Sequence, residues 1–127
     1  MKKIITTESA PAPIGPYSQA VLAGNTLFTS GQIAIDPASG EMVDSNVEAE
    51  TLQVMKNLEA VLAAADLKFE NVVKSSIFLK DMDDFQKVNG IYAEYFQEDQ
   101  APARETVQVA CLPKNVRVEI SMIAVKS

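Results

Sequence analysis

The 127-residue sequence contains no histidine and only one cysteine, Cys111. The first absence removes several mechanisms together, because no Ser-His-Asp triad, Cys-His pair, imidazole metal site or histidine general base can be built. Catalysis, if any, falls to Arg, Glu, Asp, Lys, Tyr, hydroxyls or backbone groups. A lone cysteine closes no disulfide within the chain and argues against zinc, so Cys111 reads as a small apolar residue near a strand end in a reducing compartment. No run of eighteen apolar residues occurs, and Met1-Lys2-Lys3 is followed by only two apolar residues before Thr6. Neither a membrane span nor a secretory leader is therefore expected, and the reading is a soluble, cytoplasmic protein. Basic residues are few and scattered: 11 Lys and Arg against 17 Asp and Glu leave a formal charge of −6, which disfavours nucleic acid as a partner.

The chain is long enough for one domain, residues 1–127, with a sizeable core. Lys3 to Thr6 reads as a short strand, and the prolines of Ala10 to Pro16 then forbid regular structure. Tyr17 to Ala23 and Thr26 to Ile35 read as strands about the Gly24-Asn25 turn. In the second, Gly31 is either a bulge or a place where a ligand passes close to the main chain. Ser45 and Glu48 form a Ser-x-x-Glu capping box, after which Leu52, Met55, Leu58, Val61, Leu62 and Ala65 recur at helical steps. Val72 to Leu79 reads as a strand whose Phe78 breaks the alternation, which suggests cover on both faces. Asp81 then caps a second helix with the stripe Phe85, Val88, Tyr92 and Phe96. Asn89, among these apolar positions, is either a satisfied buried amide or a ligand contact.

The stretch Pro102 to Pro113 places an arginine at the mouth of an alternating strand. Arg104 shares a face with Thr106 and Gln108. Its planar fork of donors suits a carboxylate or phosphate, although a surface ion pair is the plainer reading. With Pro113-Lys114-Asn115 as a turn, Val116 to Val125 is expected to fold back as the hairpin partner, with Glu119 opposite Gln108 on the face of Arg104. Glu119 and Arg104 then either flank one site or form a surface pair, and the nearby cation lowers the glutamate's pKa. The order βββαβαββ predicts an α+β fold: a two-layer mixed sheet of about six strands with two helices on one face. Apolar residues on the sheet's other face predict a closed homo-oligomer.

The motifs Gly15-Pro16-Tyr17-Ser18-Gln19-Ala20, Ser30-Gly31-Gln32, Asn57-Leu58, Val88-Asn89, Pro102-Ala103-Arg104, and Leu112-Pro113 followed by Val118-Glu119-Ile120 resemble, along the whole chain, the RidA/YjgF family of reactive intermediate deaminases. The resemblance implies a chorismate-mutase-like fold assembled as a homotrimer, with sites in the clefts between subunits. It also implies cofactor-free hydrolysis of carboxylate-bearing enamines and imines, such as 2-aminoacrylate and 2-iminopropanoate, to 2-keto acids and ammonia. By similarity Arg104 takes the substrate carboxylate, Glu119 and the backbone near Thr106 hold the attacking water, and Tyr17, Ser30, Gly31 and Asn89 line the cleft. A sensor of 2-keto or short-chain acids is the alternative, and a ribonuclease role such as that attributed to some members is opposed by the acidic charge. The chain departs from the family pattern at Ala101, where a bulky residue is usual, and at Glu105, where a small one is common. Alternation directs Glu105 away from Arg104.

Overall fold

The computed structural model describes all residues from Met1 to Ser127. Its sheet is organised by the last strand. In β6 (Val118–Val125) every second side chain, Val118, Ile120, Met122 and Ala124, is apolar and buried, as the period of a strand requires. β4 (Val72–Leu79) repeats the pattern with Ser75, Ile77 and Leu79 buried. These strands pair antiparallel at the centre of the sheet. β1 (Lys2–Ile5), β2 (Ala20–Ala23) and β3 (Thr26–Thr29) form an antiparallel meander that joins the free edge of β6, while β5 (Ala103–Gln108) runs parallel to β4 at the opposite edge. The order is β1-β2-β3-β6-β4-β5.

Two helices cover one face. α1 (Val47–Ala64) buries Val47, Val54, Met55, Leu58, Val61 and Leu62, and α2 (Phe85–Ala93) buries Val88 and Tyr92. Both join the core with Leu27, Ile77, Leu79, Val118 and Ile120. The other face carries the half-exposed Ile4, Phe28 and Val107 in alternating positions. The α+β architecture and the element order are those expected from the sequence.

Several local expectations are corrected. β6 is not the hairpin partner of β5: β4 lies between them. The physical reason is burial. β6 has a wholly apolar inward face and belongs in the interior, whereas β5 has a largely exposed, polar sequence and follows Pro102, which suits an edge. Phe78 does not break the alternation, because Ile77 and Leu79 are buried and Phe78 points to the other face. The N-cap of α1 is Asn46, not Ser45: Asn46 is extended, and its Oδ1 accepts from the Ala49 N–H at 2.8 Å. Asp81 caps the short turn Met82–Asp84 rather than α2 itself. β2 and β3 are shorter than predicted, since their outer ends turn away to build the site.

Candidate active site

The sequence-nominated residues fall into two groups on opposite faces of the sheet. The first surrounds a cavity of about 490 Å³ at the end of β3 and β6. The chain enters it through a bulge. Phe28 pairs with Ile123, but the next paired residue, Gln32, faces Ile120, so the β3 side spends one residue more than β6 over the same distance. That extra length is Ser30-Gly31. A Cβ on Gly31 would lie 2.5 Å from Glu119 Oε2, so glycine is needed there for the carboxylate to pass. Gly31 thus lies in a bulge and against the Glu119 side chain, which is the structural one of its two readings.

Tyr17, Ile14, Pro11, Ile33 and Ile35 give the cavity apolar walls, and Ser30, Glu119 and Lys114 are among its polar lining. Buried amides fix those walls. Gln19 donates to the carbonyls of Thr7, Ala10 and Pro11 and accepts from the Thr7 N–H at 2.7 Å, which pins the proline-rich loop. Asn57 of α1 donates to the carbonyls of Ile33 and Ile35, both at 3.0 Å. Ser30 Oγ donates to the Ser18 carbonyl. Burial among these groups pushes the Glu119 carboxyl above its ordinary pKa of 4.5. The lowered pKa expected from a neighbouring Arg104 is therefore corrected: within one chain the two side chains do not meet.

The second group lies on the helix-covered side of edge strand β5. Arg104 Nη1 donates to Asn89 Oδ1 at 2.6 Å, and its guanidinium rests over the rings of Phe85 and Tyr92. Asn89 is half-buried rather than buried, and its Oδ1 is satisfied by Arg104. Thr106, two residues on, shares this face, and its buried Oγ1 has no hydrogen-bond partner. Glu105 points the other way, as alternation requires, where it pairs with Lys74 at 2.9 Å and accepts from Ser76. The register separates the two groups. Arg104 lies beside Ser75 and Glu119 beside Phe78, and positions three apart on β4 face opposite sides.

The family model described as Endoribonuclease L-PSP matches residues 7–126. The chain belongs to this family, the RidA/YjgF family. Similar members include a RutC family protein of Pyrococcus horikoshii, 53% identical over 126 residues and covering 99% of both chains. The 2-iminobutanoate/2-iminopropanoate deaminase of Bos taurus is 51% identical over 99% of this chain and 91% of that protein. Among solved structures, the yjgF gene product of Escherichia coli superposes with a TM-score of 0.92 at 47% identity, over 98% of this chain and 99% of that one. Escherichia coli TdcF with bound serine gives 0.92 at 43%, over 98% and 99%.

In this RidA/YjgF chain the sequence motifs mark most of the site but miss part of its frame. Glu50 is 1% exposed. Its Oε2 accepts from the Arg117 N–H at 2.7 Å and its Oε1 lies 3.4 Å from Arg117 Nε, which fastens α1 to the start of β6 two residues before Glu119. Burial raises its pKa, and the Arg117 N–H and charge oppose that rise. The available signal was an acid in the middle of an apolar stripe, between Val47 and Val54 at helical spacing. Lys114 was legible only as a turn residue. Its backbone is left-handed, φ 55°, as is that of Asn115 at 56°. No group of three His, Cys, Asp or Glu side chains is arranged to hold a metal ion.

Proposed function

We propose that the protein hydrolyses short-lived enamine and imine acids of the 2-aminoacrylate and 2-iminopropanoate type, giving 2-keto acids and ammonia, at sites formed between copies of the chain. The observation that carries this reading is the division of the site. One face of the sheet offers an exposed guanidinium outside both ion pairs of the chain, and the other offers a desolvated carboxylate in a largely apolar cavity. A single chain cannot apply both to one small molecule. A second copy, seated against the half-exposed apolar face, brings its Arg104 to the mouth of this cavity, and three such copies close into a ring with three equivalent sites. The names of the mammalian relatives support the chemistry.

The reaction asks little of the protein, which fits the available groups. The imine carbon is already electrophilic. Arg104 takes the substrate carboxylate through charge-assisted bonds worth about 1.5–3 kcal/mol each and so fixes the carbon beside the water. Glu119 accepts a proton as water adds, and the addition gives a carbinolamine. Glu119 returns that proton to the nitrogen to complete the carbinolamine, then relays the hydroxyl proton to the amine, so that the C–N bond breaks, ammonia leaves, and the retained oxygen becomes the keto group. In the single chain burial raises the Glu119 pKa, which favours it as a base, and the incoming guanidinium opposes that rise. Tyr17, Ser30 and Gly31 shape the cavity around the carbon, Asn89 holds Arg104, and Thr106 offers a hydroxyl and backbone beside it. No cofactor is needed, and the protein works in the cytoplasm, where pyridoxal-phosphate enzymes release such imines.

The test is release of pyruvate and ammonia from 2-aminoacrylate, generated in place from serine by a pyridoxal-phosphate dehydratase. Wild type accelerates release and Arg104→Ala, with its oligomer intact, does not. Equal rates for the two proteins would overturn the reading. The serine held by Escherichia coli TdcF favours a second reading, a sensor of small carboxylic acids. That reading predicts binding without hydrolysis in the same experiment.

A further inference from the structure

Arg104 is the second residue of edge strand β5 and is exposed, a setting in which an arginine side chain ordinarily samples many rotamers. Here α2 removes that freedom. Phe85, Asn89 and Tyr92 follow one another at steps of four and three residues and therefore share one helix face. The Arg104 Cζ lies 5.6 Å from the Phe85 ring centroid and 5.1 Å from that of Tyr92, while Asn89 between them accepts from Nη1 at 2.6 Å. The Tyr92 ring is itself held. Its hydroxyl donates to Ser75 Oγ at 2.9 Å, and Ser75 is the β4 residue in register with Arg104. The linkage thus closes on itself: Arg104 to Tyr92, Tyr92 to Ser75, and Ser75 across the ladder to the Arg104 backbone.

We propose that Tyr92 and Phe85 are positioning residues, which hold the Arg104 guanidinium against α2 so that its Nε/Nη2 edge is presented to the substrate carboxylate. The inference rests on the reading of Arg104 given under the proposed function. Asn89 takes one Nη1 hydrogen, and neither ion pair of the chain involves Arg104, so the Nε/Nη2 edge keeps two parallel donors, neither of them on the nitrogen that Asn89 holds. A guanidinium held by two rings and an amide also keeps its place when the carboxylate is absent. The ordering cost is then met on folding rather than on binding. Tyr92 is the stronger of the two holds because it is buried and tethered, whereas Phe85 is half-buried.

Two measurements on the intact protein test this. In the free protein, the Arg104 Nε–H resonance is expected to be shifted by the ring currents and to show restricted rotation. Tyr92→Leu moves it to the position of a free arginine. Pyruvate, the expected product, serves as the binding probe by calorimetry: Tyr92→Leu raises its Kd about tenfold and Phe85→Leu about threefold. Tyr92→Phe, which keeps the ring and loses only the hydroxyl, recovers most of the affinity. Adding Tyr92→Leu to Arg104→Ala weakens binding no further, because the ring acts through the arginine. A merely structural role would weaken both backgrounds equally. A free-arginine signal in the wild type would overturn the stacked hold. A restricted signal in a wild type that does not bind pyruvate would instead overturn the carboxylate reading of Arg104, and with it the purpose of the hold.

Discussion

The Arg104 group and the Glu119 cavity use opposite means to prepare a charge for chemistry. Arg104 is exposed and is made precise by stacking and by the amide of Asn89. Glu119 is half-buried, and desolvation raises its pKa. The difference suits the roles proposed above. A guanidinium that receives a carboxylate needs access and orientation. A carboxylate that takes a proton gains from a higher pKa, which burial supplies. Their positions in the sheet allow both: an edge strand leaves one side chain open, and an interior strand beside a bulge encloses the other.

The sharpest way to break this comparison is to separate the two halves genetically. Arg104→Ala and Glu119→Gln are each expected to be nearly inactive. Co-refolding them as a mixture should restore activity, since some interfaces then carry an intact arginine from one copy and an intact glutamate from another. No recovery would overturn the proposal that each working site is shared between two copies. Next in size is Glu119→Gln alone, expected to lower the hydrolysis rate about a hundredfold by losing the proton acceptor. In the wild type, activity should fall as pH drops through the raised pKa of Glu119, so the acid limb lies above 4.5. The sign for stability is the reverse. A carboxyl whose folded pKa is raised contributes stability below its unfolded pKa and loses it as pH rises through the folded value. Glu119→Gln should therefore raise the Tm at neutral pH while it lowers activity, and a drop in Tm would contradict the desolvated carboxylate.

Gly31→Ala probes the enclosure more gently. Its Cβ would meet Glu119 Oε2 at 2.5 Å, and the flexible carboxylate can turn aside, so about a tenfold loss of rate with little loss of fold is expected. The smallest effect belongs to a residue outside both groups. Asn46→Ala removes the cap of α1 and should cost about 1 kcal/mol in denaturant unfolding with kcat unchanged.

The elements themselves were readable because each carries its own period. The apolar steps from Leu52 to Ala65 and the alternation from Val118 to Met122 state helix and strand without reference to anything distant. The cap was misplaced by one residue, since Ser45 and Asn46 are both competent caps and only the extended backbone of Asn46 decides between them. The motifs nominated Tyr17, Ser30, Gly31, Asn89, Arg104, Thr106 and Glu119, and the structure gathers these into two clusters. Glu50 and Lys114 were passed over. One is an acid between Val47 and Val54 at helical spacing, and the other was read as a turn residue.

What the sequence determined by itself was therefore local: the order of strands and helices, the glycine at the bulge, the family, and the absence of imidazole chemistry. The hydrogen-bonding partner of each strand was not local. A hairpin of β5 with β6 satisfies every nearby signal, yet it would leave the apolar inward face of β6 at the sheet's edge. Burying that face requires β4 as a neighbour, and the insertion of β4 turns Arg104 and Glu119 to opposite sides. Only the tertiary structure decided this, because strand order is set by the burial summed over the whole sheet, and no single stretch of the chain contains that sum.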